Sequence, residues 1–147
     1  MNEKVIWKNG MNFNGTAASG GIIPLGGGEE QGFKPTELVM IGLAGCTAMD
    51  VISILQKKQQ AVSAFEVSVN STRRDDHPKA FTSAEVHYAI TGVSIDEASV
   101  ARAIELSAGK YCSVSATLEK AIPISFSYSI YAPDGTKAAE GTVQTKA

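Results

Sequence analysis

The sequence predicts a single domain of mixed helices and strands organised around one long apolar helix, and three observations carry that expectation. Between Leu38 and Leu55 the stretch Lys34 to Lys58 holds one charge, Asp50, and a helix without a wet face is normally buried. Apolar and polar residues alternate through 65–70, 82–90 and 122–130, the period of half-buried strands. The 147 residues suffice for one ordinary domain with a real core. Residues 1–132 are expected to form that domain and 133–147 a polar C-terminal tail.

In chain order, residues 5 to 25 read as short strands broken by Asn9-Gly10, a strong hairpin signal, and by Gly15 and Gly20-Gly21. Gly26-Gly27-Gly28-Glu29-Glu30 reads as a mobile linker, since it lacks the Lys-Ser/Thr ending of a phosphate-cradling loop. Pro35 suits a first helical turn, Glu37 the positive end of the helix dipole, and Lys57 and Lys58 the negative end. Phe65, Val67 and Val69 mark one strand; Thr82, Ala84, Val86, Tyr88 and Ile90 share one face of the next. Ser94-Ile95-Asp96-Glu97 has the form of a capping box, opening an amphipathic helix through Ala108 that Gly109 is expected to stop. Residues 114–120 read as a second short helix, and Ile122 to Ile130 as a strand with Ser125, Ser127 and Ser129 on its other face. After the Pro133-Asp134-Gly135 turn, the tail lacks an apolar face and is expected to be loosely ordered.

Composition narrows the function. Thirteen basic against 15 acidic residues, with no basic run longer than two, leave no footprint for nucleic acid or an anionic membrane. The central helix is long enough to span a bilayer, but Asp50 near its middle, Thr47, Ser53 and the strands elsewhere argue against that. No apolar signal follows Met1-Asn2-Glu3-Lys4, so a cytoplasmic location is the default. His77 in a charged turn and His87 on a polar strand face lack a second ligand at metal spacing, and neither metal nor cofactor is expected.

The two cysteines fit neither a zinc pattern nor Cys-x-x-Cys. In a reducing compartment they are expected as free thiols or a reversible couple. Cys46, midway along the apolar helix with Asp50 one turn on, is either packing or chemistry. Cys112 stands at the start of the second short helix, two residues from Lys110, and both features favour thiolate over thiol.

Pro35-x-Glu37-Leu38, Gly45-Cys46-x-Ala48-x-Asp50-Val51 and Lys110-Tyr111-Cys112-Ser113-Val114 together resemble the OsmC/Ohr family of osmotically induced proteins and organic hydroperoxide reductases. His77-Pro78-Lys79 is similar to a segment of its YhfA-like branch. The resemblance implies an α+β fold, with antiparallel sheets flanking a long buried central helix, in an intertwined homodimer. It also implies a thiol-dependent peroxidase. Cys46 would attack an organic hydroperoxide and become a sulfenic acid, and Cys112 would condense with it to a Cys46–Cys112 disulfide, reduced by a lipoyl or thioredoxin-like dithiol. The family's peroxidases place a glutamate directly after the helix-opening proline, where this chain has Thr36. Glu37 is shifted by one position, about 100° around the helix. They also use an arginine from the N-terminal hairpin region, whereas the first arginine here is Arg73. The alternative is a non-catalytic small-molecule-binding or redox-sensing protein of the same fold.

Overall fold

The long helix begins where its proline predicts. The protein, as a computed structural model, describes residues 1–27 and 32–145, and α1 runs from Pro35 to Lys57. Glu37 Oε2 accepts from the Lys34 N–H at 3.0 Å, so the carboxylate caps a donor that the first turn leaves free. The expected linker lies outside the described residues at 28–30, and Gly26 belongs to a strand. Contacts group the chain into two compact units, Met1–Ile41 and Gly42–Ala147.

In the first unit, β1 (Lys4–Asn9), β2 (Asn12–Thr16) and β3 (Ile22–Gly26) form an antiparallel sheet in the order β1-β2-β3. The hairpin expected at Asn9-Gly10 is present, with Gly10 at φ +50°, a conformation that costs glycine little. Gly15 does not break the strand as expected. It sits inside β2 opposite Ile23, whose Cγ2 would lie 3.2 Å from a Cβ placed there, so the glycine makes room for a neighbour. Every residue of β1 is exposed.

The second unit contains most of α1, then β4 (Ala61–Arg73), β5 (Phe81–Val93), α2 (Glu97–Leu106), α3 (Ser113–Leu118), β6 (Ile124–Tyr131) and β7 (Lys137–Val143). Its sheet has the order β4-β5-β6-β7. The pairs β4–β5 and β6–β7 are antiparallel as expected, but β5–β6 is parallel. The helical connection from Val93 to Ile124 explains the exception, because parallel neighbours need a crossover of this kind. The alternation read from the sequence holds for most positions: Ala84, Val86, Tyr88 and Ile90 of β5 and Phe126, Tyr128 and Ile130 of β6 are buried, whereas Thr82, expected on the same face of β5, is exposed and Ser129, expected on the other face of β6, is buried.

Three local expectations are corrected. The cap of α2 is Asp96, not Ser94. Asp96 Oδ2 accepts from the Ser99 N–H at 3.0 Å and the Ser99 hydroxyl at 2.6 Å, while Ser94 has φ +52°. Gly109 does not end the helical run, which continues as a π turn over Ser107–Tyr111. The tail is not loose where β7 forms. Asp134 Oδ1 accepts from the Thr136 N–H at 2.9 Å, Gly135 turns at φ +90°, and the strand returns along β6 with Val143 buried. An edge strand is held mainly by its backbone ladder, so one strong apolar anchor suffices where the sequence shows almost no apolar face.

Along α1, Met40, Leu43, Thr47, Val51 and Leu55 form a buried stripe at helical spacing. Full burial of a leucine or valine contributes about 1.5–3 kcal/mol. Within one chain, however, Val39, Ile41 and Met49 remain 39, 50 and 74% exposed. By length and composition α1 could cross a membrane, a test that core helices of soluble proteins also pass.

Candidate functional site

The second cysteine owes its position to an irregularity in the helical run. The Cys112 N–H donates to Ser107 O at 2.8 Å, a bond spanning five residues, and such π turns recur at functional sites. It leaves Cys112 in extended conformation as the N-cap of α3, with its Sγ accepting from the Ser115 N–H at 3.3 Å. The cysteine thus does what Ser or Asp does at other helix starts, while only 2% of its surface remains exposed.

Cys46, from the middle of α1, is half-buried, and its thiol lies near enough to that of Cys112 for each to act on the other's ionisation. The Ser113 hydroxyl stands 4.0 Å from Cys46 Sγ. The two thiols ionise in opposite directions. Desolvation pushes Cys46 up, but the Val114 N–H, the Cys112 side chain and Ser113 together outweigh it and the Asp50 carboxylate, so its pKa is lowered. At Cys112 desolvation again comes first; the Ser115 side chain and N–H offset it in part, Cys46 adds to it, and the pKa is raised. Of the two, Cys46 is therefore the thiol that gives up its proton more readily and Cys112 the one that holds it.

This reverses the expectation for Cys112. A helix start and Lys110 were expected to favour its thiolate, but enclosure dominates, and Lys110 lies over the Tyr111 ring at 5.3 Å. The Ser115 hydroxyl is close enough to weigh on Cys112 yet makes no well-formed hydrogen bond. Buried at 1% exposure, it is otherwise without a partner among the described residues.

A buried polar chain runs behind the thiols. Tyr88 Oη and Thr47 Oγ1 are 2.6 Å apart, Thr47 Oγ1 and Ser107 Oγ 2.8 Å, and Ser107 donates to Asp50 Oδ2 at 3.0 Å. Since Asp50 accepts at one end, the hydroxyls are satisfied in one order, with Tyr88 donating to Thr47 and Thr47 to Ser107. Desolvation raises the Tyr88 pKa far above the ordinary phenol value, keeping the donor neutral. The chain holds Asp50 half-buried and hydrogen-bonded, where its charge opposes ionisation of Cys46.

Of the residues singled out from sequence, Cys46 and Cys112 come together, while Glu37 lies in the other compact unit as the cap of its own helix. His87 is bracketed by Ser127 Oγ at 2.7 Å and Ser129 Oγ at 3.2 Å. No cluster of three His, Cys, Asp or Glu suited to a metal occurs among the described residues. Sequence reasoning missed Thr47, Tyr88, Ser107, Ser113 and Ser115 as parts of the site. Only Thr47, a hydroxyl inside an apolar run beside Cys46, offered a signal.

A family model described as OsmC-like protein matches residues 26–127. Protein YhfA of Escherichia coli (strain K12) is 44% identical over 133 residues, covering 90% of this chain and 99% of that protein. Among solved structures, a hypothetical protein from Aquifex aeolicus VF5 is 28% identical, with TM-score 0.80 over 89% of this chain and 96% of the other. A Legionella pneumophila protein described as an organic hydroperoxide resistance protein OsmC shares the fold at 16% identity, with TM-score 0.63 over 87% of this chain and 96% of the other.

Proposed function

The chain belongs to the OsmC-like proteins, and from that premise we propose that it is a thiol-dependent peroxidase that reduces organic hydroperoxides through Cys46 and Cys112. The observation that carries the reading is the meeting of two thiols 66 positions apart, one half-exposed and ionised more readily than an ordinary thiol, the other enclosed and held protonated. The half-exposed thiolate is the nucleophile. Its Sγ attacks the terminal peroxide oxygen and the O–O bond breaks. The electron pair leaves with the alkoxide, which takes a proton from water to become an alcohol. Sulfur is oxidised to Cys46 sulfenic acid. Cys112 then attacks that sulfur, water leaves, and the Cys46–Cys112 disulfide forms. A lipoyl or thioredoxin-like dithiol returns both thiols by exchange.

Neutral donors do here the work that an arginine does in the family's peroxidases. The groups lowering the Cys46 pKa are an amide, a thiol and a hydroxyl. Leu43 and Met49, three residues to either side of Cys46, flank it on the same helix face, and apolar neighbours suit an alkyl or aryl hydroperoxide over hydrogen peroxide. Members of this family are typically dimeric. Exposed Val39, Ile41 and Met49 on α1 and Val5, Ile6 and Trp7 on β1 support the same state here, since apolar surface of this extent calls for a partner. A cytoplasmic location suits two free cysteines.

A second reading, a redox-sensing or small-molecule-binding protein without efficient turnover, is favoured by one observation: among the described residues, no cation acts on Cys46. Consumption of cumene hydroperoxide in the presence of a dithiol separates the two. The peroxidase reading requires turnover by the wild type that exceeds the free-thiol reaction and disappears in Cys46→Ser. Turnover no faster than free dithiol would leave the second reading.

A further inference from the structure

We propose that the Ser113 hydroxyl is a catalytic donor that holds the oxygen Cys46 removes from the peroxide and keeps it as the oxygen of the Cys46 sulfenic acid. The assignment rests on the peroxidase reading above and deepens it. Its starting point is a distance. Ser113 Oγ lies 4.0 Å from Cys46 Sγ, the outer limit for a direct bond to sulfur and too far to be a strong one. One oxygen atom bonded to Sγ fits into that gap. A bent path made of a covalent sulfur–oxygen bond and an O–H···O hydrogen bond of about 2.7 Å spans it without moving either residue.

Three further features point the same way. The hydroxyl has no other hydrogen-bond partner among the described residues, so its proton is free for an arriving oxygen. Its backbone is pinned, because Thr117 Oγ1 donates to Ser113 O at 2.8 Å, and a fixed donor needs little reorganisation during reaction. Ser113 is exposed and Cys46 half-exposed, whereas Cys112 is buried, so an incoming peroxide reaches the Ser113 side of the sulfur first. In the transition state Sγ bonds to the terminal oxygen as the O–O bond lengthens toward the alkoxide. A donor aimed at the transferred oxygen keeps it between Sγ and Oγ, with the leaving group directed away along the S–O–O line.

Two rates test this on the full-length protein: single-turnover oxidation of Cys46 by cumene hydroperoxide, and alkylation of Cys46 by iodoacetamide across pH. Alkylation reports the thiolate alone and involves no transferred oxygen. Ser113→Ala is expected to move the alkylation midpoint up, because its hydroxyl helps to lower the Cys46 pKa; at a pH above the midpoints of both proteins it is expected to slow oxidation about tenfold, the factor supplied by one neutral hydrogen bond made in the transition state, with alkylation unchanged. Ser113→Thr, which keeps the hydroxyl, is expected to retain the wild-type rate. Equal oxidation of Ser113→Ala and wild type overturns the assignment and leaves the peroxidase intact. Slowing of oxidation matched by equal slowing of alkylation also overturns it, since Ser113 then acts only on the thiolate. A wild type that alkylates normally but resists the hydroperoxide removes the peroxidase reading, and this assignment with it.

Discussion

Replacing Thr47 by valine keeps the shape of a fully buried side chain and deletes one hydroxyl, so it isolates the polar chain behind the thiols. The substitution removes the contacts at 2.6 Å to Tyr88 and 2.8 Å to Ser107. Tyr88, which is 0% exposed, loses its hydrogen-bond acceptor, and a buried unsatisfied donor costs about 1–3 kcal/mol. Ser107 still donates to Asp50 and loses one neutral bond, worth about 1 kcal/mol. No cavity opens, so Thr47→Val is expected to destabilise by about 2–4 kcal/mol in all. Urea unfolding at fixed protein concentration would show this as a lower midpoint with an unchanged slope. The decisive comparison is the double variant Thr47→Val with Tyr88→Phe. Removing both partners of a bond leaves no orphan, so the double variant should be more stable than Thr47→Val alone. A single-variant cost below about 0.5 kcal/mol, the range of ordinary surface changes, or simple additivity in the double variant, would refute the continuous chain.

Asp50→Asn removes the carboxylate that opposes ionisation of Cys46; the pH midpoint of Cys46 alkylation should therefore move down, and a midpoint that stays or rises contradicts the electrostatics described. Burial is the first cause of the raised pKa at both Cys112 and Tyr88. Groups raised on folding keep their stabilisation below the unfolded pKa, about 8.5 for Cys and about 10 for Tyr, and lose it as pH rises toward the folded value. The urea midpoint of a Cys46→Ser variant, free of the opposite contribution from the lowered thiol, should accordingly fall above about pH 8.5; a flat profile into the alkaline range would exclude enclosed, protonated groups. Sedimentation at micromolar concentration is expected to give a homodimer, and a well-folded monomer would leave exposed Val39, Ile41 and Met49 unexplained.

The elements legible in the sequence were those whose pattern has a strong period. The alternation of β5 and β6 gave the core face except at exposed Thr82 and buried Ser129, and Pro35 and the basic cluster gave α1 its ends. β7 was missed because Lys137 to Val143 offers one strong apolar anchor, Val143, and the rest of the strand is held by backbone bonds that leave no trace in side-chain type. The α2 cap was misplaced because Ser94 and Asp96 both precede a helix-forming run, and local sequence does not choose between them. At the site, the two cysteines were visible, but not the sign of their difference. A start-of-helix cysteine near a lysine reads as a thiolate; only the three-dimensional enclosure of Cys112 and the turning of Lys110 toward Tyr111 reverse it. Thr47 stood out as a hydroxyl inside an apolar run, but Ser107, Ser113 and Ser115 are ordinary polar residues in ordinary places and gave no sign of the site they form with it.

The central claim is that Cys46 is oxidised first and Cys112 resolves it, and mass spectrometry of the cysteine peptides after one equivalent of cumene hydroperoxide tests it directly. Wild type should yield an intrachain Cys46–Cys112 disulfide, which requires the two Cα atoms to come within about 7 Å. Cys112→Ser should stop at a Cys46 sulfenic acid that excess peroxide over-oxidises, and Cys46→Ser should remain reduced. Two thiols that stay alkylatable in the treated wild type, or oxidation that begins at Cys112, would contradict the account.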